Sequence, residues 1–151
     1  MFDRLTSGDA MPALERALQF ASARHRLITN NVANLETPGY RPTDVSVEGF
    51  QSLLREAIDA RQDALASGVG DGAGLGGGLA MRSSDEIAVT PDGMELEPAP
   101  LGEGILYHDG NDRSVERILQ SLTQNLIQFR FAATMIRRQF ASIDAAIRER
   151  P

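Results

Sequence analysis

From Val115 to Ile147, apolar side chains recur in alternating steps of four and three residues without a fault. The positions are Val115, Leu119, Leu122, Leu126, Phe129, Ala133, Ile136, Phe140, Ile143 and Ile147. This alternation is that of a coiled-coil seam. It predicts a helix from about Arg113 to Arg148, with Asp112 as its cap and Glu116 in its first turn. At the rise of an α-helix such an element is roughly 50 Å long. That is more than a domain of 151 residues can wrap. Burying one large aliphatic or Phe side chain gains roughly 1.5–3 kcal/mol, and a whole domain is held by only about 5–15 kcal/mol. A stripe of this length therefore has to be covered.

A second stripe near the N-terminus is the natural partner. Leu14, Leu18, Ala21, His25, Ile28, Val32 and Leu35 keep the same four-three alternation. They predict a helix from about Ala10 to Leu35, with Asp9 as N-cap and Pro12 in the first turn, where its missing N–H costs little. The expected fold is mainly α, with the two terminal helices paired as an antiparallel coiled coil. The N-terminal stripe is the shorter of the two. Part of the C-terminal helix is left over, and further copies of the chain are expected to cover it. Leu14, Leu18, Ile28, Val32, Leu119, Leu122, Leu126, Phe129, Ile136, Phe140 and Ile143 are the expected assembly seam.

Between the terminal helices the composition changes. Phe50, Leu54, Ala57, Ile58 and Leu65 predict a shorter amphipathic helix over about Val47 to Ala66. Seven of the chain's 14 glycines then fall between Gly68 and Gly78, the composition of a flexible linker. Ile87 and Val89 alternate, as do Met94 and Leu96, around Pro91-Asp92-Gly93, which predicts a small β-hairpin. Pro98 to Gly110 reads as irregular. The expected segments are 1–41 (coiled-coil helix and turn), 42–66 (short helix), 67–83 (flexible glycine-rich linker), 84–111 (small irregular or β segment) and 112–151 (coiled-coil helix).

Chemistry-bearing motifs are few. The chain has no cysteine, so thiolate catalysis, Cys-bound zinc and disulfides are excluded. His25 and His108 lack a second ligand at metal-binding spacing. His25 holds a heptad position and is expected to be a polar core residue that fixes register. Gly72 to Gly77 matches G-x-G-x-x-G in form, but a predicted helix precedes it and more glycine follows, so it reads as linker. No catalytic residue, cofactor or metal is expected. A net charge of −6 and a pI near 4.9 argue against nucleic-acid binding through a basic surface. All 15 basic residues are Arg. Eight acids crowd residues 80–112, and seven Arg lie in 113–150, an asymmetry able to make copies complementary. No apolar run reaches the roughly 20 residues of a membrane span. The first residues, MFDRLTSGDAM, lack the apolar stretch of a cleaved secretory signal.

The stretch Asn30-Asn31-Val32-Ala33-Asn34-Leu35-Glu36-Thr37-Pro38-Gly39-Tyr40 combines two features. Pro38 bars Thr37 from helical geometry, and Pro-Gly at the central positions suits a type II turn. Three asparagines, mediocre helix formers, precede this stop. Each carries a donor and an acceptor. Hydrogen bonds to the main chain of a neighbouring copy, or of the turn that follows, would account for them.

The segment Asn31 to Arg41 resembles the N-terminal signature of the bacterial flagellar axial proteins, which build rod and hook. Ala17-Leu18-Gln19-Phe20, the stretch Asp44 to Leu54, and Asp109-Gly110-Asn111-Asp112 before the long helix are most similar to proximal members of that group. Asn125 and Phe129 fall where the family often has Asn and Tyr. Pro42 and the glycine insert depart from it. The resemblance implies a structural rod subunit of the flagellar basal body, not an enzyme. It implies partners among copies of itself, other rod proteins, the membrane-ring base proteins and the flagellar type III export apparatus. It also implies a place in the periplasm-spanning rod, reached without a cleaved signal. Asn30, Asn31, Asn34, Thr37, Pro38, Gly39 and Tyr40 would then form a contact between subunits. The alternative is a standalone coiled-coil adaptor for another soluble complex.

Overall fold

The computed structural model describes residues 10–67, 78–90, 93–100 and 115–148. Three helices carry the fold: α1 (Met11–Ala33), α2 (Val47–Ala66) and α3 (Val115–Arg148). Four short strands accompany them: β1 (Thr43–Asp44), β2 (Ile87–Thr90), β3 (Gly93–Leu96) and β4 (Ala99–Pro100). The chain is mainly helical, with a small hairpin and packed terminal helices. The expected caps Asp9 and Asp112, His108, the hairpin's Pro91-Asp92 and residues 68–77 of the glycine insert lie outside the described residues.

Local sequence explains the boundaries. Pro12 sits in the first turn of α1, and Asn34 closes the helix with its N–H directed to the Asn30 and Asn31 carbonyls, at 3.2 and 3.3 Å. Ser46 caps α2: its Oγ accepts from the Gly49 N–H at 2.9 Å, with Glu48 in the first turn favouring the helix dipole. β2 and β3 pair antiparallel, Ile87 opposite Leu96 and Val89 opposite Met94. The irregular reading of the segment after Pro98 needs correction, because Ala99 and Pro100 pair antiparallel with Asp44 and Thr43. Two residues are too few to show a period, and Pro100 is tolerated where the ladder is this short.

The core gathers around one aromatic pair. The rings of Phe20 on α1 and Phe50 on α2 stack with centroids 4.0 Å apart and planes 4° from parallel. Val45, Ala57, Leu79, Met81, Ile87 and Met94 complete the buried cluster. Arg16 holds the segment before β2 in place, its Nε donating to the Leu79 carbonyl at 3.2 Å. None of the cluster's residues belongs to α3. That helix lies against α1 through a separate row of buried residues: Ile118, Asn125 and Ala132.

The terminal helices bury more, and partly other, residues than their heptads select. On α1 the heptad positions Leu14, Ala21 and Ile28 are buried, but so are Phe20, Arg24 and Asn31, while His25 and Val32 are exposed. On α3 the fully buried row is Ile118, Asn125 and Ala132, each one residue before a predicted position, while Leu119 and Leu126 are exposed. The expectation that His25 fixes register from inside the core is therefore corrected. The cause on α1 is a second layer. The helix must face α2 and the hairpin as well as α3, so its buried arc widens to take in Phe20.

Candidate assembly site

The three asparagines at the end of α1 bond to the turn that follows them. Asn31 is buried, and its Nδ2 donates to the Thr43 carbonyl at 2.7 Å. Its Oδ1 accepts from the Thr43 N–H at 3.2 Å and from the Tyr40 hydroxyl at 2.8 Å. Asn30 Nδ2 donates to the Tyr40 oxygen at 3.3 Å. Asn34 Nδ2 reaches back to the Asn30 carbonyl at 2.9 Å, and its Oδ1 accepts from Thr37 Oγ1 at 3.4 Å. Thr37 and Tyr40 close the turn by a main-chain hydrogen bond of 3.1 Å, and Gly39 sits at φ 75°. A positive φ at the third position is what a type II turn requires and what glycine supplies without strain. Burial pushes the Tyr40 phenol above its usual range. The turn thus has one orientation relative to α1, with Asn30, Thr37, Pro38 and Gly39 facing outward.

A second anchor was not singled out from the sequence. Arg24 forms a forked pair with Asp44: Nε to Oδ1 at 2.8 Å and an Nη to Oδ2 at 2.5 Å. Both side chains are buried, 6% and 9% exposed. Asp44 Oδ1 also accepts from the Val45 N–H at 2.9 Å. β1 is therefore held to α1 at both of its residues, Thr43 by Asn31 and Asp44 by Arg24. The signal available in sequence was thin: an Arg seven residues before Asn31 and an Asp beside Thr43 are unremarkable until the turn brings them together.

The predicted seam residues divide into two groups. Leu14 and Ile28 are buried, and Leu18, Leu122 and Ile136 are half-buried. Val32, Leu119, Leu126, Phe129, Phe140 and Ile143 are exposed. Asn125 lies at the centre of the α1–α3 contact, fully buried, with Nδ2 donating to the Ala21 carbonyl at 2.9 Å. Its Oδ1 is buried and has no hydrogen-bond partner. Beyond Ile136, α3 continues for three turns in which Phe140, Ile143 and Ile147 are 58%, 47% and 67% exposed.

Two hollows flank this contact. One, about 610 Å3, opens between α1, the hairpin and Phe129, with Arg26 and Glu95 on its walls. The other, about 200 Å3, is an almost wholly apolar notch between α1, α2 and α3, lined among others by Leu14, Phe50, Leu54 and Phe131. Among the described residues no three His, Asp or Glu side chains gather as a metal site needs, and no helix is long and apolar enough to cross a membrane. What the arrangement offers is a fixed turn and uncovered apolar helix surface, which suits docking.

No protein-family model matches the chain. Similarity to curated proteins nevertheless runs along nearly its whole length. The flagellar basal body rod protein FlgB of Bacillus subtilis (strain 168) is 24% identical over 134 residues, 89% of each chain. The FlgB of Escherichia coli (strain K12) is 26% identical over 142 residues, 92% of this chain and 91% of that one. The chain is FlgB-like. An alignment that leaves out so little reaches into both terminal helices. The FlgB-like similarity therefore includes part of α3, whose exposed apolar surface the core does not use.

Proposed function

We propose that the chain is a structural subunit of the bacterial flagellar basal-body rod, in its proximal part, and has no enzymatic activity. The observation that carries this reading is the uncovered apolar surface of α3 in a chain similar to FlgB over about nine-tenths of its length. Copies assemble through the terminal helices and join other rod proteins. The assembly links the base ring below to the distal rod and hook above, after export through the type III apparatus. Leu119, Leu126, Phe129, Phe140 and Ile143 are the seam between copies, and the turn from Thr37 to Tyr40, braced by Asn30, Asn31 and Asn34, sets the angle at which neighbours meet.

The terminal helices pair as an antiparallel coiled coil in this reading. Two contacts support the direction. Ala21 meets Asn125, while Leu14 and Ala17 share a notch with Gln128, Phe131 and Ala132. A step of seven residues back along α1 is thus a step of about seven forward along α3.

Leu126→Asp tests the function. Leu126 is exposed in the single chain, so the variant keeps its fold by circular dichroism and its unfolding midpoint. It loses self-association in sedimentation and fails to restore motility to cells lacking the gene. Normal assembly and motility would overturn the seam, and a wild-type chain that stops at a small closed oligomer would favour the adaptor reading instead.

A further inference from the structure

The end of α3 and the notch beside Phe50 are complementary, and the chain cannot bring its own pair together. The notch lies between Leu14 and Ala17 on α1, Phe50, Gln51 and Leu54 on α2, and Phe131 on α3. Its volume is about 200 Å3 and its walls are almost entirely apolar. A cavity of about 150 Å3 lined by such side chains holds a benzene ring. Phe140, 58% exposed, is a side chain of that kind, and Ile143 and Ile147 continue its stripe. Phe140 stands nine residues beyond Phe131 on one uninterrupted helix, about 13 Å along the axis. A straight helix does not fold back over that distance.

We propose that the last three turns of α3 dock into the notch of a second copy, with Phe140 as the inserted side chain. This rests on the assembly reading above and deepens it by naming the two surfaces. The charges agree. Exposed Glu15 and Glu48 follow Leu14 and Val47 at the notch, and exposed Arg137 and Arg138 lie less than one turn before Phe140. The face that docks also continues the row Ile118, Asn125, Ala132 and Ile136 that already packs on α1. The contact joins unlike surfaces, so each copy keeps one used and one open face. Contacts of this kind build rings or open helical filaments rather than two-fold dimers.

Because the chain has no cysteine, introduced thiols report alone. Ala141→Cys, beside Phe140, and Gln51→Cys are both at exposed positions and leave the inserted side chain in place. Each variant is purified separately, checked for native helix content, then mixed and mildly oxidised. The expected result is a mixed disulfide between A141C and Q51C chains that dominates over either homodimer and is lost when the A141C chain also carries Phe140→Asp. A141C homodimers as the main product would overturn the proposal in favour of a tail-to-tail contact. A single chain carrying F2C and Q51C that closes on itself at the expense of the mixed product would overturn it in favour of the chain's own first residues. Assembly by sedimentation with no mixed disulfide would sink this contact and leave the rod reading standing. No assembly at any concentration would sink both.

Discussion

Asn31 and Thr43 are bonded as two neighbouring strand residues would be. The Asn31 amide donates to the Thr43 carbonyl at 2.7 Å, and its oxygen accepts from the Thr43 N–H at 3.2 Å. A helix side chain thus supplies the edge that β1 lacks on one side, while β4 supplies the other. The same oxygen takes the Tyr40 hydroxyl. Removing it leaves two main-chain groups and a phenol without their partner in a largely dry place. Asn31→Ala is expected to lower the unfolding free energy by about 3 kcal/mol, and Tyr40→Phe, which removes only the phenol's bonds, by about 1 kcal/mol. Urea denaturation gives both numbers. Equal losses in the two variants would show that the pairing with Thr43 does not hold the turn.

The Arg24–Asp44 pair makes a sharper prediction because both side chains are buried. Breaking such a pair leaves a charge without solvent or partner. Arg24→Met alone is expected to cost about 3–5 kcal/mol. Arg24→Met with Asp44→Ala removes the stranded carboxylate and should recover much of that loss. Recovery stays incomplete because the Val45 N–H loses its acceptor as well. A double-mutant cycle measures the coupling. Burial also means weak screening, so the coupling should hardly change between low and high salt. Additive single losses, or a coupling that vanishes in salt, would place the pair in solvent.

How much of this was readable beforehand follows from what each signal encodes. The four-three alternation found both terminal helices, and the amphipathic pattern gave the span of α2, Val47–Ala66. Pro38-Gly39 gave the turn because backbone stereochemistry fixes it locally. The buried faces of the helices were only partly readable: Leu14, Ala21 and Ile28 are covered as the alternation selects, but Phe20, Arg24, Asn31 and Asn125 are covered as well. A heptad count registers where apolar residues lie, not which of them the same chain covers. Here the covered rows include Arg24, Asn31 and Asn125, polar residues that a hydrophobic pattern passes over. Their partners, Asp44, Thr43 and the Ala21 carbonyl, are specified by geometry after the turn has formed. The stripe left uncovered on α3, by contrast, is close to the one the alternation picked out.

Asn125 shows what this arrangement costs. It is fully buried between α1 and α3, donates to the Ala21 carbonyl, and leaves Oδ1 without a partner. A buried polar residue in such a seam lowers stability while allowing one register. The Ala21 carbonyl keeps its place in the hydrogen-bond ladder of α1 whichever residue stands at 125. Asn125→Leu should therefore leave the unfolding free energy unchanged or raise it by about 1 kcal/mol. The row Ile118, Leu at 125, Ala132 then has no polar mark, and α3 can slide by a heptad. The expected sign is a second set of amide resonances for α1 in a heteronuclear NMR spectrum, accompanied by weaker assembly. A loss of about 2 kcal/mol with a single set of resonances would mean that the bond to Ala21 is a net stabiliser and that register is held elsewhere along the helices.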